Sequence, residues 1–202
     1  MDEIVLRAIA KWPNVPAVYG WLRLDRRGNW LIKGDRVNNP AIVAFIGRNY
    51  AHDEHGQWFF QNGPQRVYVT LDYTPLVLRV AGAGGAPPEL GAHHGRAVGV
   101  VSGAWIDEDG ALLLATESGI GVVHDRDLDG LLPFFTDASG NAMPEDVFDE
   151  LAELTRLGRS VPLWLKLSAV NLKVEPIRSD AVPERFAFVP RPAPPAGEEA
   201  CD

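Results

Sequence analysis

Hydrophobic and polar positions alternate in short runs along this chain, and the period changes from one run to the next. Residues 3–11 place Ile4, Val5, Ala8 and Ile9 at helical spacing, with Trp12 just beyond. Asp2 stands before them as a cap, and Pro13 and Pro16 follow as a stop. This predicts a short helix whose buried stripe is those five apolar residues. Residues 18–24 are aromatic and branched and predict a strand, 25–28 a turn, and 30–32 a return strand. Asn39-Pro40 predicts a helix start, with Ile42, Val43, Phe45, Ile46 and Tyr50 facing inward. Residues 53–56 turn the chain into a strand over 57–61, and Asn62-Gly63 marks a hairpin. Residues 66–71 then alternate, with Val67, Val69 and Leu71 inward and Tyr68 and Thr70 outward. A further strand is expected over 76–80.

Residues 81–99 lose this periodicity. They are dominated by Gly, Ala and Pro, carry His93 and His94, and read as a linker. Beyond them the pattern predicts strands over 100–106 and 111–116 and a short helix over 127–135, cut near Pro133. A helix is expected over 144–157, with acidic residues in its first turn and Val147, Phe148, Leu151 and Leu154 on one face. A buried strand is expected within 163–174. Residues 190–202 are rich in Pro, Ala and acid and read as a disordered tail. Asp-x-x-Gly turns start at Asp25 and Asp53, 28 residues apart, and again at Asp107 and Asp137, 30 apart. That spacing predicts an internal repeat. The expected organisation is an N-terminal half over 1–80, a linker over 81–99, a C-terminal half over 100–189 and a tail over 190–202. The expected fold class is α+β: two related halves, each a small antiparallel sheet with a packed helix.

Composition narrows the function classes. The chain has 202 residues, and 19 Lys and Arg against 27 Asp and Glu give a formal net charge of −8. Such a balance argues against binding nucleic acid through a general positive field. The one cysteine, Cys201, excludes an internal disulfide and Cys-rich zinc sites. The N-terminal residues lack the positive start and apolar run of a secretory leader, and no stretch reaches the ~18 apolar residues of a membrane span. The expectation is a cytoplasmic protein with no nucleic-acid or membrane partner.

Candidate chemistry is sparse. Asp125, Asp127 and Asp129 with Gly130 match the start of a calcium-binding loop, but Thr136 stands where a bidentate Glu belongs and Pro133 interrupts. The competing assignment is that Asp125 or Asp127 caps a short helix. His52 and His55 flank two carboxylates, yet Gly56 and the aromatic run behind it place them in a turn. Ser102-Gly103 and Ser118-Gly119 lack a nucleophile elbow. The Gly82–Gly85 segment lacks the Lys-Ser/Thr of a phosphate loop. The residues expected to bind a ligand are Trp58, Gln61, Arg66 and Tyr73, which combine aromatic faces with polar tips. No catalytic residue, metal or cofactor is expected.

The segment Gly28-Asn29-Trp30, Gly34, Asn39-Pro40, the run from Gly56 to Val67 and Asp72-Tyr73-Thr74-Pro75 resembles a group of proteobacterial proteins that form a domain family of unknown function. Its layout is similar to a second uncharacterised bacterial family, in which repeated β-rich motifs and helices build an α+β fold. The resemblance covers residues 18–80 and, more loosely, the second half, which lacks a match to the 61–67 run. It implies a fold, a cytoplasmic setting and, through the second family, a signalling role. It transfers no catalytic residue. Together these readings predict a non-catalytic regulatory module that binds a protein or small-molecule partner. The alternative is a metal-dependent hydrolase or calcium-regulated module built on Asp125, Asp127 and Asp129.

Overall fold

Four turns of one design set the strands. In the computed structural model, Oδ1 of Asp25, Asp53, Asp107 and Asp137 accepts the backbone N–H of the residues two and four further on, at 2.7–3.0 Å. The glycine at the third following position takes a φ of 73–83° in every case. That left-handed backbone is the reason glycine stands there. The structure describes residues 1–13, 15–81, 88–143, 153–154, 157, 162–167 and 170–195. It falls into two compact units.

The first unit holds helix α1 (Glu3–Lys11), strands β1 (Val18–Leu24), β2 (Trp30–Ile32) and β3 (Asp35–Arg36), helix α2 (Pro40–Arg48), and strands β4 (Tyr50–His52), β5 (Trp58–Asn62) and β6 (Gln65–Leu71). Its sheet runs β3-β2-β1-β6-β5-β4, and β1 and β6 pair in parallel at the centre. Asn39 caps α2, its Oδ1 accepting from Ala41 N–H at 2.9 Å and Ile42 N–H at 3.4 Å, and Pro40 occupies the first turn. Residues 93–95 and 187–195 also belong to this unit. Leu22, Leu24, Trp30, Ile46, Tyr50 and Val69 form its core.

The second unit contains β7 (Leu76–Ala81), β8 (Glu89–Ala92), β9 (Val101–Ile106), β10 (Leu112–Thr116), β11 (Gly119–Val123), β12 (Phe135–Thr136), β13 (Leu163–Leu167) and β14 (Val170–Pro176). Two 3₁₀ segments, Asp125–Asp127 and Asp129–Phe134, lie between β11 and β12, and a short helix α3 (Val182–Arg185) follows β14. The strand order is β12-β13-β14-β9-β10-β11-β7-β8, with parallel pairs β14·β9 and β11·β7. Leu112, Leu113 and Leu114 are all buried, so both faces of β10 are covered.

The architecture corrects the expected fold class. The protein is not α+β with small antiparallel sheets and packed helices. It is mostly β, with mixed sheets of six and eight strands. The hairpin signals are local and report antiparallel neighbours alone. The parallel pairs join strands far apart in sequence, such as Val18 with Val67 and Ala104 with Val174, and enlarge each sheet.

Smaller differences have local causes. In α1 the expected stripe is buried only at Val5, while Ile4 and Trp12 are 66% and 51% exposed. Asp2 does not cap α1 with its side chain; its carboxylate accepts from Arg48 Nε at 3.2 Å, and its own N–H donates to Asn49 Oδ1 at 2.7 Å. Tyr68, expected outward, is buried because its ring stacks on Tyr19 at 4.6 Å and its hydroxyl donates to Asp53. The expected strand within 163–174 is the hairpin β13–β14. Residues 89–92 of the Gly/Ala/Pro-rich segment form β8. The helix expected over 144–157 lies largely outside the described residues, as do the Gly82–Gly85 segment and Cys201.

Candidate functional site

A cavity of 260 Å³ lies in the first unit between α2 and its sheet. Each wall follows from local sequence. On α2, Ile42 and Ile46 are four residues apart and share one face. On β5 and β6, Phe60 stands opposite Val67 and Asn62 opposite Gln65, so alternation delivers all four to the same side. On β1, the register slips between Val18 and Leu22, and Gly20 takes a φ of 75°. This irregularity brings the consecutive residues Trp21 and Leu22, with Val18, to the cavity. Ile32 of β2 completes the wall.

The lining is apolar except at Asn62 and Gln65. Gln65 Nε2 donates to Pro16 O at 3.1 Å, which fixes the amide. Ile32 and Ile42 are 43% and 46% exposed, so the cavity opens between the β2–β3 turn and the first half of α2. About 150 Å³ suffices for a benzene-sized guest, and drug-sized ligands occupy about 300 Å³ or more. The space therefore suits a molecule between those sizes. The ammonium of Lys33, at the turn after Ile32, rests 3.8 Å from the centroid of the Trp21 ring.

Behind this cavity the same sheet face is filled. Trp30, Tyr50 and Trp58 pack together, with ring centroids 5.1 Å apart for Trp30–Tyr50 and 4.7 Å for Tyr50–Trp58. Tyr50 donates its hydroxyl to Pro75 O at 3.0 Å, and burial pushes its phenol well above the usual tyrosine range. It therefore remains a neutral donor.

The four residues expected to bind a ligand do not share one place. Trp58 is buried on the α2 side of β5, against Tyr50 and His52. Gln61 and Arg66 are cross-strand partners on the opposite face. Gln61 is buried and donates to Gly63 O at 3.0 Å. Arg66 is exposed, its guanidinium 4.7 Å from the Phe59 ring centroid. Tyr73 lies beyond the end of β6, with the Arg26 guanidinium 4.3 Å from its ring centroid. None of the four lines the 260 Å³ cavity. Sequence reasoning read Ile42 and Ile46 as core and missed the cavity. The available signal was the polar pair Asn62 and Gln65 flanking the hairpin.

The acidic cluster is dispersed as well. Asp127 accepts from Arg79 Nε at 2.7 Å and from Val80 N–H at 3.0 Å, and the Arg79 hydrogen bond holds its carboxyl below the usual range. Asp125 lies 2.9 Å from His124 Nδ1 and accepts from Arg126 N–H. Asp129 begins the next 3₁₀ segment. Among the described residues no group of three or more His, Cys, Asp or Glu is placed to hold a metal ion. No described helix is long and apolar enough to cross a membrane.

Fold and site thus define a mostly-β protein of two mixed sheets, the first enclosing an apolar cavity under a capped helix. A family model, DUF2944, described as "Protein of unknown function (DUF2946)", matches residues 1–193, and the chain belongs to that family. No curated protein matches the chain. Among solved structures it is similar to a DUF1285 family protein from Silicibacter pomeroyi DSS-3, with 19% identity and a TM-score of 0.47 over 67% of this chain and 86% of that one. It is also similar to a DUF1285 family protein from Shewanella baltica OS155, with 16% identity and a TM-score of 0.42 over 55% of this chain and 88% of that one.

Proposed function

We propose that this protein is a non-catalytic regulatory module of the cytoplasm that binds a small, largely apolar ligand in the first unit. The observation that carries this reading is the 260 Å³ cavity between α2 and the sheet, with apolar walls and two amides. A guest there would remove from water the exposed parts of Ile32 and Ile42 together with its own apolar surface. It would brace α2 against β1, β5 and β6, and so stabilise that unit by mass action. This is a means by which ligand level can be read as a change in structure. The single cysteine suits a reducing compartment.

The test is an NMR titration of the whole chain with octan-1-ol. Backbone shifts should concentrate at Trp21, Ile32, Ile42 and Phe60 and vanish in Ile42→Trp, which fills the opening. Shifts scattered over both units, or unchanged by Ile42→Trp, would count against the reading.

A second reading concerns a protein partner on the opposite sheet face. It is favoured by exposed Arg66 over Phe59, beside the Tyr19–Tyr68 stack, because Arg and Tyr commonly anchor interfaces. Of the four residues singled out in the sequence, Arg66 and Gln61 belong to this face, and Trp58 and Tyr73 would act by supporting it. A partner retained from native extract by the wild type and lost with Arg66→Ala or Tyr73→Ala supports it. Equal retention by folded variants removes it.

A further inference from the structure

We propose that the cavity of the first unit takes a small amphipathic carboxylate, with its apolar body between α2 and the sheet and its anionic head at Lys33. This deepens the reading above and rests on it. Lys33 and Gly34 form the two-residue turn between β2 and β3, with φ of 49° and 94°. Turns with two left-handed residues favour Asn or Gly at the first position, so a lysine there is uncommon and sterically costly. The turn is anchored by Lys33 N–H donating to Trp21 O at 2.9 Å.

That geometry holds the side chain along Trp21, which itself lines the cavity, and sets the ammonium 3.8 Å from the ring centroid. No carboxylate among the described residues forms an ion pair with Lys33. A positive charge without an ionic partner thus rests on the ring of Trp21, one wall of an apolar cavity with amides at Asn62 and Gln65. An anion with an apolar tail answers both features, and a neutral apolar guest answers only one. Asp35, paired with Ile32 across the same turn, carries the opposing charge and limits the gain. Arg36 is paired with Leu31 on the adjacent register. The volume, between those of a benzene site and a drug site, sets the body at roughly eight carbons.

The experiment is calorimetric titration of the whole chain with octanoate and with octan-1-ol, in low and high salt, using wild type, Lys33→Asn, Asp35→Asn and Ile42→Trp. Asn suits a left-handed backbone, so Lys33→Asn removes the charge while keeping the turn. Octanoate should bind wild type more tightly than octan-1-ol by roughly three- to fivefold, the scale of one exposed ion pair. Lys33→Asn and high salt should each erase that difference and leave octan-1-ol unchanged. Asp35→Asn should strengthen octanoate alone, and Ile42→Trp should abolish both. Equal binding of the two probes, unmoved by Lys33→Asn, overturns the anionic head while the binding-module reading stands. Absence of binding by either probe overturns both.

Discussion

With β7 and β8 set aside, the two sheets share a strand order. In each, the first and sixth strands pair in parallel at the centre, β1 with β6 and β9 with β14. The units differ in what fills the link between the third and fourth strands. In the first unit it is α2, nine residues long, with Ile42 half exposed over a cavity. In the second it is a pair of 3₁₀ segments, with Leu131 fully buried and Asp127 fastened to Arg79 and Val80. The second of these links is pinned by a core leucine and a charged tether. The other is a helix that stands off its sheet. An equivalent chain position therefore serves stability in one unit and leaves room for a ligand in the other.

The largest expected effect comes from the buried end of this contrast. Leu131→Ala should cost about 3 kcal/mol, as for other core leucines, whereas Ile42→Ala should cost less than about 0.5 kcal/mol. Native-state hydrogen exchange resolved by unit is the check, and similar losses for the two variants would erase the difference.

A slightly smaller effect separates two turns of the same design. A methyl on Gly56 would meet the Ala187 carbonyl oxygen, while one on Gly140 meets nothing within 4 Å. Gly140→Ala then carries only the left-handed backbone cost, about 1 kcal/mol, and Gly56→Ala about 2 to 3 kcal/mol. Urea unfolding of the two variants measures this; equal costs would mean that the 187–190 segment yields freely.

Much of the local structure was legible. The Asp-x-x-Gly turns and the Asn39-Pro40 cap each need only a few adjacent residues, and the chemistry seen is the chemistry read; the hairpin at Asn62 forms too, but its two turn residues are Gly63 and Pro64. The parallel pairings were not legible, because nothing near Val18 marks Val67 as its neighbour. β8 was hidden by a composition that reads as linker. Trp58 and Gln61 were grouped for their chemistry, yet they are an odd number of residues apart. On a strand that places them on opposite faces, a distinction that period-two spacing makes visible. The cavity arises from the standoff of α2, which the spacing of its apolar residues does not encode.

The smallest effect concerns the charged tether. The Arg79 hydrogen bond lowers the Asp127 pKa in the folded chain, so its contribution is present above the ordinary carboxylate value of about 4 and is lost as pH falls through the lowered value. Arg79 is half exposed, which limits the contribution to about 1 kcal/mol or less. Arg79→Ala should remove that contribution at neutral pH and flatten the acid limb for the second unit. An acid limb identical to wild type would assign the tether no role.

The contrast between the two links is tested most directly by hydrogen exchange of the whole chain with and without octan-1-ol. Amides of α2, β1 and β5 should gain protection while those of β9 to β14 keep their rates. Protection gained equally in both units, or in the second alone, would contradict the assignment of the binding site to the first.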